Sequence, residues 1–166
     1  RMACETMVLL QNKRHVLPLD ASRYAAGRRL AVIGPNAADT LVHWGNYYGN
    51  PRHTFSVLDG IRTKFADPDA VIYYNKVSEL VSTEQPNIQQ LLADLEGITD
   101  VIYVGGISPK LEGEEMRVDY EGFKGGDRTS IELPAVQRCT LRLLHEAGKR
   151  VIYVNLSGSA IALEPE

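Results

Sequence analysis

Residues 100–104 read DVIYV and are closed by Gly105-Gly106. Four consecutive apolar positions, β-branched or aromatic and stopped by glycine, describe a strand covered on both faces. Working outward, three more stretches repeat the pattern: residues 29–33 (RLAVI) before Gly34-Pro35, residues 70–74 (AVIYY), and residues 150–154 (RVIYV) running into Asn155. Helical spacing lies between them. Ile88, Leu91, Leu92 and Leu95 recur at three and four within residues 87–95. Val136, Cys139, Leu143, Leu144 and Ala147 do the same after Pro134, a favourable first-turn residue. A weaker helix covers residues 57–65. Strands alternating with helices predict an α/β fold: a three-layer αβα sandwich around a mainly parallel, flavodoxin-like sheet. Right-handed crossovers put the carboxyl ends of these strands on one edge.

At 166 residues, 44% hydrophobic and 23% charged, the chain fits one globular domain and is not disordered. A net charge of −3 leaves no basic footprint for nucleic acid or an anionic membrane, and no apolar run approaches a membrane span. Cys4 and Cys139 are too few for a disulfide framework or a metal cluster. The GxGxxG, Walker, HExxH and GxSxG patterns are missing, so neither a cofactor nor a metal is called for. Ser157-Gly158-Ser159 reads as a turn, and His15 and His145 as surface residues. The opening MACETMVLLQN reads as a helix end running into a strand, and the close follows a strand with no helix to cover it. Both ends therefore read as internal to a longer polypeptide.

Two connections are longer than a sheet needs. The first, from Gly34 to about Phe55, carries Asn36, Asp39, His43, Trp44, Asn46, Tyr47, Tyr48, Asn50 and His53. The second, from Gly105 to about Leu133, carries Glu112, Glu114, Glu115, Asp119, Glu121 and Asp127 against Lys110, Arg117, Lys124 and Arg128. Both leave carboxyl ends of parallel strands, where open α/β sheets bind ligands. Aromatic faces beside acids suit a neutral polyhydroxy ligand such as a sugar. Trp44, Tyr47 and Tyr48 either stack on that ligand or staple the loop. Neighbouring carboxylates raise one another's pKa, which suits a general acid; a solvated acidic loop is the alternative. No ligand spacing of the DxDxD type supports a cation site.

MVLLQNKRHVLPLD, LAVIGPNA, GNYYGNP, LEGEE, GGDRTSIELPAVQ and KRVIYVNLSGSA, in this order, resemble the C-terminal α/β sandwich domain of glycoside hydrolase family 3, closest to its β-xylosidase branch. The resemblance spans nearly all of residues 1–166. It implies a retaining exo-acting β-glycosidase in which an upstream (β/α)₈ barrel, absent here, supplies an Asp nucleophile, and the sandwich, incomplete at its C-terminal end, supplies a Glu acid/base. The expected activity is a β-xylosidase releasing xylose from xylo-oligosaccharides. A β-glucosidase and a non-catalytic sugar-binding module stand as alternatives. Laying Gly113-Glu114 on the family's Gly-Glu makes Glu114 the first choice for acid/base, Glu112 the second and Glu115 the third. Residues 116–126 are an insertion relative to the family's short form. The resemblance also implies an ion pair of Asp127-Arg128 bracing the loop, and a periplasmic or extracellular location.

Overall fold

The computed structural model describes residues 2–24, 27–45, 48–74, 79–82, 84, 86–112, 116–125 and 127–163. Four strands, β1 (Leu30–Ile33), β2 (Val71–Tyr74), β3 (Asp100–Gly106) and β6 (Arg150–Leu156), form a parallel sheet in the order β2-β1-β3-β6. The registers are continuous, with Leu30 opposite both Val71 and Asp100, and Asp100 opposite Arg150. A short antiparallel hairpin, β4 (Phe123–Lys124) and β5 (Asp127–Arg128), lies outside this sheet. The helices are α1 (Met2–Glu5), α2 (Val57–Arg62), α3 (Ile88–Asp94), α4 (Pro109–Glu112) and α5 (Ala135–Glu146).

Every residue of β1 and β3 is buried. Alternation along the strands divides that burial between two cores. Ala31, Ile33, Val101 and Tyr103 meet Leu91, Leu95, Leu141 and Leu144 from α3, its C-terminal end and α5. Leu30, Val32, Ile102 and Val104 meet Leu58 of α2, Tyr24 and Val71. A fully buried Val, Ile or Leu contributes ~1.5–3 kcal/mol, so the two cores hold the three layers together. The expected αβα sandwich with its parallel sheet is the observed architecture.

Local signals set the helix starts. Ser56 and Asp59 form a capping box on α2: the Asp59 N–H donates to Ser56 Oγ (3.1 Å) and the Ser56 N–H to Asp59 Oδ2 (3.0 Å). The two bonds donated by Ser56 hold the Asp59 carboxyl below its ordinary range. Asn87 caps α3 through the Gln90 N–H. Pro134 precedes the first turn of α5.

Two expectations fail. Residues 7–10 do not join the sheet; Met7, Val8, Leu9 and Leu10 are 65–76% exposed and have no strand partner among the described residues. The buried face of α5 is also rotated from the one expected. Val136, Gln137, Thr140, Leu141 and Leu144 are buried, whereas Cys139 and Leu143 are half-buried and Ala147 is exposed. The rotation is possible because both buried polar side chains are satisfied. Thr140 Oγ1 donates to the Val136 carbonyl (2.9 Å), and Gln137 bonds the end of β3.

The amino end of β3 carries an ionic cluster around the buried carboxylate of Asp100. Arg150 grips the Asp100 carboxylate from Nε (2.5 Å) and a terminal nitrogen (2.7 Å), and the Tyr24 hydroxyl donates to Oδ2 (2.8 Å). Burial pushes the Asp100 carboxyl up. The bonds from Arg150 and Tyr24 and the charges of Arg150 and Arg28 outweigh it and hold the group below the ordinary range. Its stabilisation is therefore present above the ordinary carboxylate pKa and is lost as pH falls through the folded value. Burial, with the Asp100 bond and charge, pushes the Tyr24 phenol from 10.0 up to about 12. That contribution is complete below pH 10 and lost as pH rises towards about 12. Tyr24→Phe should lower stability by ~1.5–3 kcal/mol at neutral pH, the worth of a hydrogen bond to a charged group. Denaturant melts across the alkaline range should also lose the Tyr24 part of the slope. An unchanged alkaline slope would mean that the phenol is not in this cluster.

Candidate functional site

The strand order places a topological switch between β1 and β3. From β1 the chain crosses over α2 to β2 on one side. From β2 it crosses over α3, on the opposite face, to β3 on the other side. The connections leaving β1 and β3 thus diverge from adjacent strands at one edge, where a crevice forms. These are the two long connections singled out in the sequence.

Backbone closeness shapes this edge. Gly34 (φ +104°) and Gly106 (φ +109°) end β1 and β3. A Cβ on Gly34 would run into the Val104 backbone, and one on Gly106 into the Leu156 carbonyl. The space is used for hydrogen bonds. The Asn36 N–H donates to the Val104 carbonyl (3.1 Å), Asn36 Nδ2 to the Gly105 carbonyl (3.0 Å), and the Ile107 N–H to the Leu156 carbonyl (3.0 Å). Asn36, wholly buried, therefore ties the first connection to the second. Its Oδ1 and the Oγ of Ser108 are buried with no hydrogen-bond partner among the described residues.

Beyond Gly106 the second connection is a small structure in its own right. Ile107, Leu111 and Val118 are buried together against Leu80, Val81, Phe123 and Ile161. Leu111 and Val118 thus anchor the acid-rich run on both sides. Glu112 closes α4; Glu114 and Glu115 lie outside the described residues. The β4–β5 hairpin packs Phe123 onto the same cluster. Its signal in the sequence is FKGGDR, where two glycines separate the strand pairs, within what reads as one long connection over residues 105–133. Arg128 braces the structure as expected, though by another means than an ion pair with Asp127. Its guanidinium donates to the carbonyls of Ala160 (2.7 Å) and Glu132 (3.1 Å) and to Ser159 Oγ (3.1 Å). Two carbonyl oxygens and a hydroxyl thus meet the planar fork, whereas Asp127 pairs in register with Lys124 and is exposed.

In the first connection the half-buried Trp44 and the exposed Tyr48 form a tilted ring pair with centroids 4.9 Å apart. Tyr47, with Asn46, lies outside the described residues. His43 and His53 are exposed. The turn reading of residues 157–159 holds, with the Ser159 N–H on Ser157 Oγ. Among the described residues no group of three His, Cys, Asp or Glu could hold a metal ion, and no helix is long and apolar enough to cross a membrane.

Sequence reasoning passed over Gln137. Its Oε1 accepts from the Gly106 N–H (2.9 Å), and its Nε2 donates to the carbonyls of Gly106 (2.7 Å) and Leu80 (2.8 Å). A glutamine on the stripe Val136, Thr140, Leu144, where the helix needs core residues, was the available signal.

Fold and edge together define an α/β sandwich with its two long connections at a switch point. Residues 7–166 match the glycosyl hydrolase family 3 C-terminal domain, and the chain belongs to that family. A xylan 1,4-β-xylosidase of Xylanibacter ruminicola is 30% identical, the match covering 99% of this chain and 35% of that protein. A β-glucosidase of Bacteroides ovatus is 27% identical over 98% of this chain and 22% of its own length. Among solved structures, a GH3 exo-β-xylosidase in complex with a xylobiose aziridine activity-based probe superposes with a TM-score of 0.69. It shares 27% identity over 89% of this chain and 17% of its own. The chain thus spans about a third or less of the length of these proteins.

Two glycines, one at this edge and one at the opposite edge before β6, make a graded stability test. Gly148 (φ +73°) has no atom within 4 Å of an added Cβ, so Gly148→Ala should cost only the left-handed penalty of ~1–2 kcal/mol. Gly106→Ala adds a backbone collision and should be clearly worse in a denaturant melt. Equal costs at the two positions would contradict the close approach of β3 to Leu156.

Proposed function

We propose that this chain is the acid/base-bearing domain of a retaining exo-acting β-glycosidase, a β-xylosidase releasing xylose from xylo-oligosaccharides. The observation that carries the reading is the acid-rich run leaving the carboxyl end of β3 at the switch point, anchored at both flanks by Leu111 and Val118. Anchored flanks matter because a general acid must be held within hydrogen-bond reach of the oxygen it protonates. The xylosidase relatives favour xylose as the released sugar, and the Bacteroides relative keeps β-glucosidase as the second reading.

On this proposal Glu114 is the acid/base, with Glu112 and Glu115 as the alternates. A retaining glycosidase holds its two carboxyls ~5–5.5 Å apart, one as nucleophile and the other as acid and then base. The nucleophile is an Asp of an upstream (β/α)₈ barrel in the same polypeptide. The Glu protonates the glycosidic oxygen as the bond breaks, then takes a proton from the water that releases the sugar. Trp44 and Tyr48, with Tyr47, offer the substrate an aromatic wall. An enzyme acting on such fragments works outside the cytoplasm, in the periplasm or beyond.

Two outcomes test this. The 166-residue chain alone carries one of the two carboxyls and should not hydrolyse aryl β-xylosides or β-glucosides; turnover by the pure chain would rule out a site shared with a barrel. In the complete polypeptide, the separate variants Glu112→Ala, Glu114→Ala and Glu115→Ala should differ. Loss of the acid/base typically costs ~10²–10⁴-fold, most for xylo-oligosaccharides and least in the glycosylation step of aryl xylosides with good leaving groups. Azide, which needs no base, should restore turnover as a β-glycosyl azide at Glu114→Ala. Rescue at Glu112 or Glu115 instead moves the assignment, and rescue at none removes the acid/base from this loop.

A further inference from the structure

We propose that Gln137 is the positioning residue for the acid-bearing segment, setting through Gly106 the direction in which that segment leaves the sheet. The inference rests on reading residues 112–115 as the source of the acid/base. Strand β1 pairs with β3 only as far as Tyr103. Beyond that point β1 has turned away, and side-chain amides take over part of the work of a strand: Asn36 on the carbonyl of Gly105, Gln137 on both the N–H and the carbonyl of Gly106. Gln137 is wholly buried, so its amide has no water to exchange with. Its two bonds to one glycine, beside the bond of the Ile107 N–H to the Leu156 carbonyl, hold a backbone conformation of φ +109°.

The path from that glycine to Glu112 is short. Ile107 and Ser108 are buried, the Ser108 carbonyl accepts from Leu111, and α4 runs directly to Glu112. The third bond of Gln137, to the Leu80 carbonyl, acts on the other side of the same segment. Leu80 and Val81 form part of the apolar seat on which Leu111 and Val118 rest. One side chain on α5 therefore fixes both the take-off of the segment and the surface it lies on. Gly105 is part of the arrangement, since a Cβ there would run into Gln137 Oε1.

A purely structural glutamine and a positioning one predict different kinetics. Gln137→Leu removes all three bonds at similar volume. Gln137→Glu keeps an acceptor for the Gly106 N–H and sets a carboxylate against two carbonyls. In the complete polypeptide, each is assayed below its melting temperature with xylobiose, whose leaving group needs a proton, and with dinitrophenyl β-xyloside, whose leaving group does not. A displaced acid should lower kcat for xylobiose by up to ~10²-fold, the cost of a misplacement of about 1 Å. KM should be nearly unchanged and the glycosylation step of the aryl substrate much less affected. Gln137→Glu should show a smaller effect of the same kind, and it carries the test alone if Gln137→Leu does not fold. A fall in melting temperature with the wild-type ratio between the two substrates would overturn the proposal. The Glu→Ala variants run alongside separate the two readings. If one shows leaving-group dependence and the Gln137 variants do not, only the positioning role fails. If none does, the acid/base reading fails and takes the positioning role with it.

Discussion

A strand buried over its whole length cannot leave a polar group to water, and β3 is such a strand. Its middle is satisfied by pairing with β1 and β6. Its ends need other solutions, and the chain supplies two of opposite character. At the amino end the carboxylate of Asp100 is taken by Arg150 and Tyr24. At the carboxyl end neutral amides from Asn36 and Gln137 meet the backbone. The charged clamp resides on the edge away from the long connections, and the neutral one on the edge from which they depart.

This division has a chemical logic. A buried carboxylate bears a desolvation cost and must keep its partners close, which suits an end of the sheet with a purely structural role. Amide–backbone contacts are rigid but uncharged. They fix the geometry of the opposite edge without adding a net charge there. The glycines Gly34 and Gly106 complete the edge, allowing backbone to approach backbone where a side chain would collide. The connections are thus mounted on the sheet through contacts to its main chain.

The fold was legible because its strands are short apolar runs bounded by glycine, a pattern that depends on local composition. Residues 100–104 and 150–154 sit inside the strands observed. Less legible was anything decided by a distant partner. MVLL looks like a strand by composition, yet residues 7–10 have nothing to pair with among the described residues. Cys139 sits at helical spacing from Val136, but the stripe that α5 buries was settled by Gln137 finding Gly106, thirty-one residues away. The two connections and their residue types could be read from the sequence. That the second has its own apolar cluster could not, because Leu80, Phe123 and Ile161 come from separate parts of the chain.

The strand order also governs how the molecule can be made. Leu30 faces Val71 across a loop of about forty residues, but it faces Asp100 only after about seventy. Lengthening a loop on that scale costs little free energy, ~0.6 kcal/mol per doubling, so the consequence is one of timing. During synthesis, at ~5–20 residues per second, β1 and β2 exist for seconds before residues 100–106 emerge. Through that interval the side of β1 that will become the centre of the sheet is an open edge, the kind of edge that recruits other chains. The order in which the ribosome delivers β1, β2 and β3 makes this domain most vulnerable to misassembly before its central strand arrives.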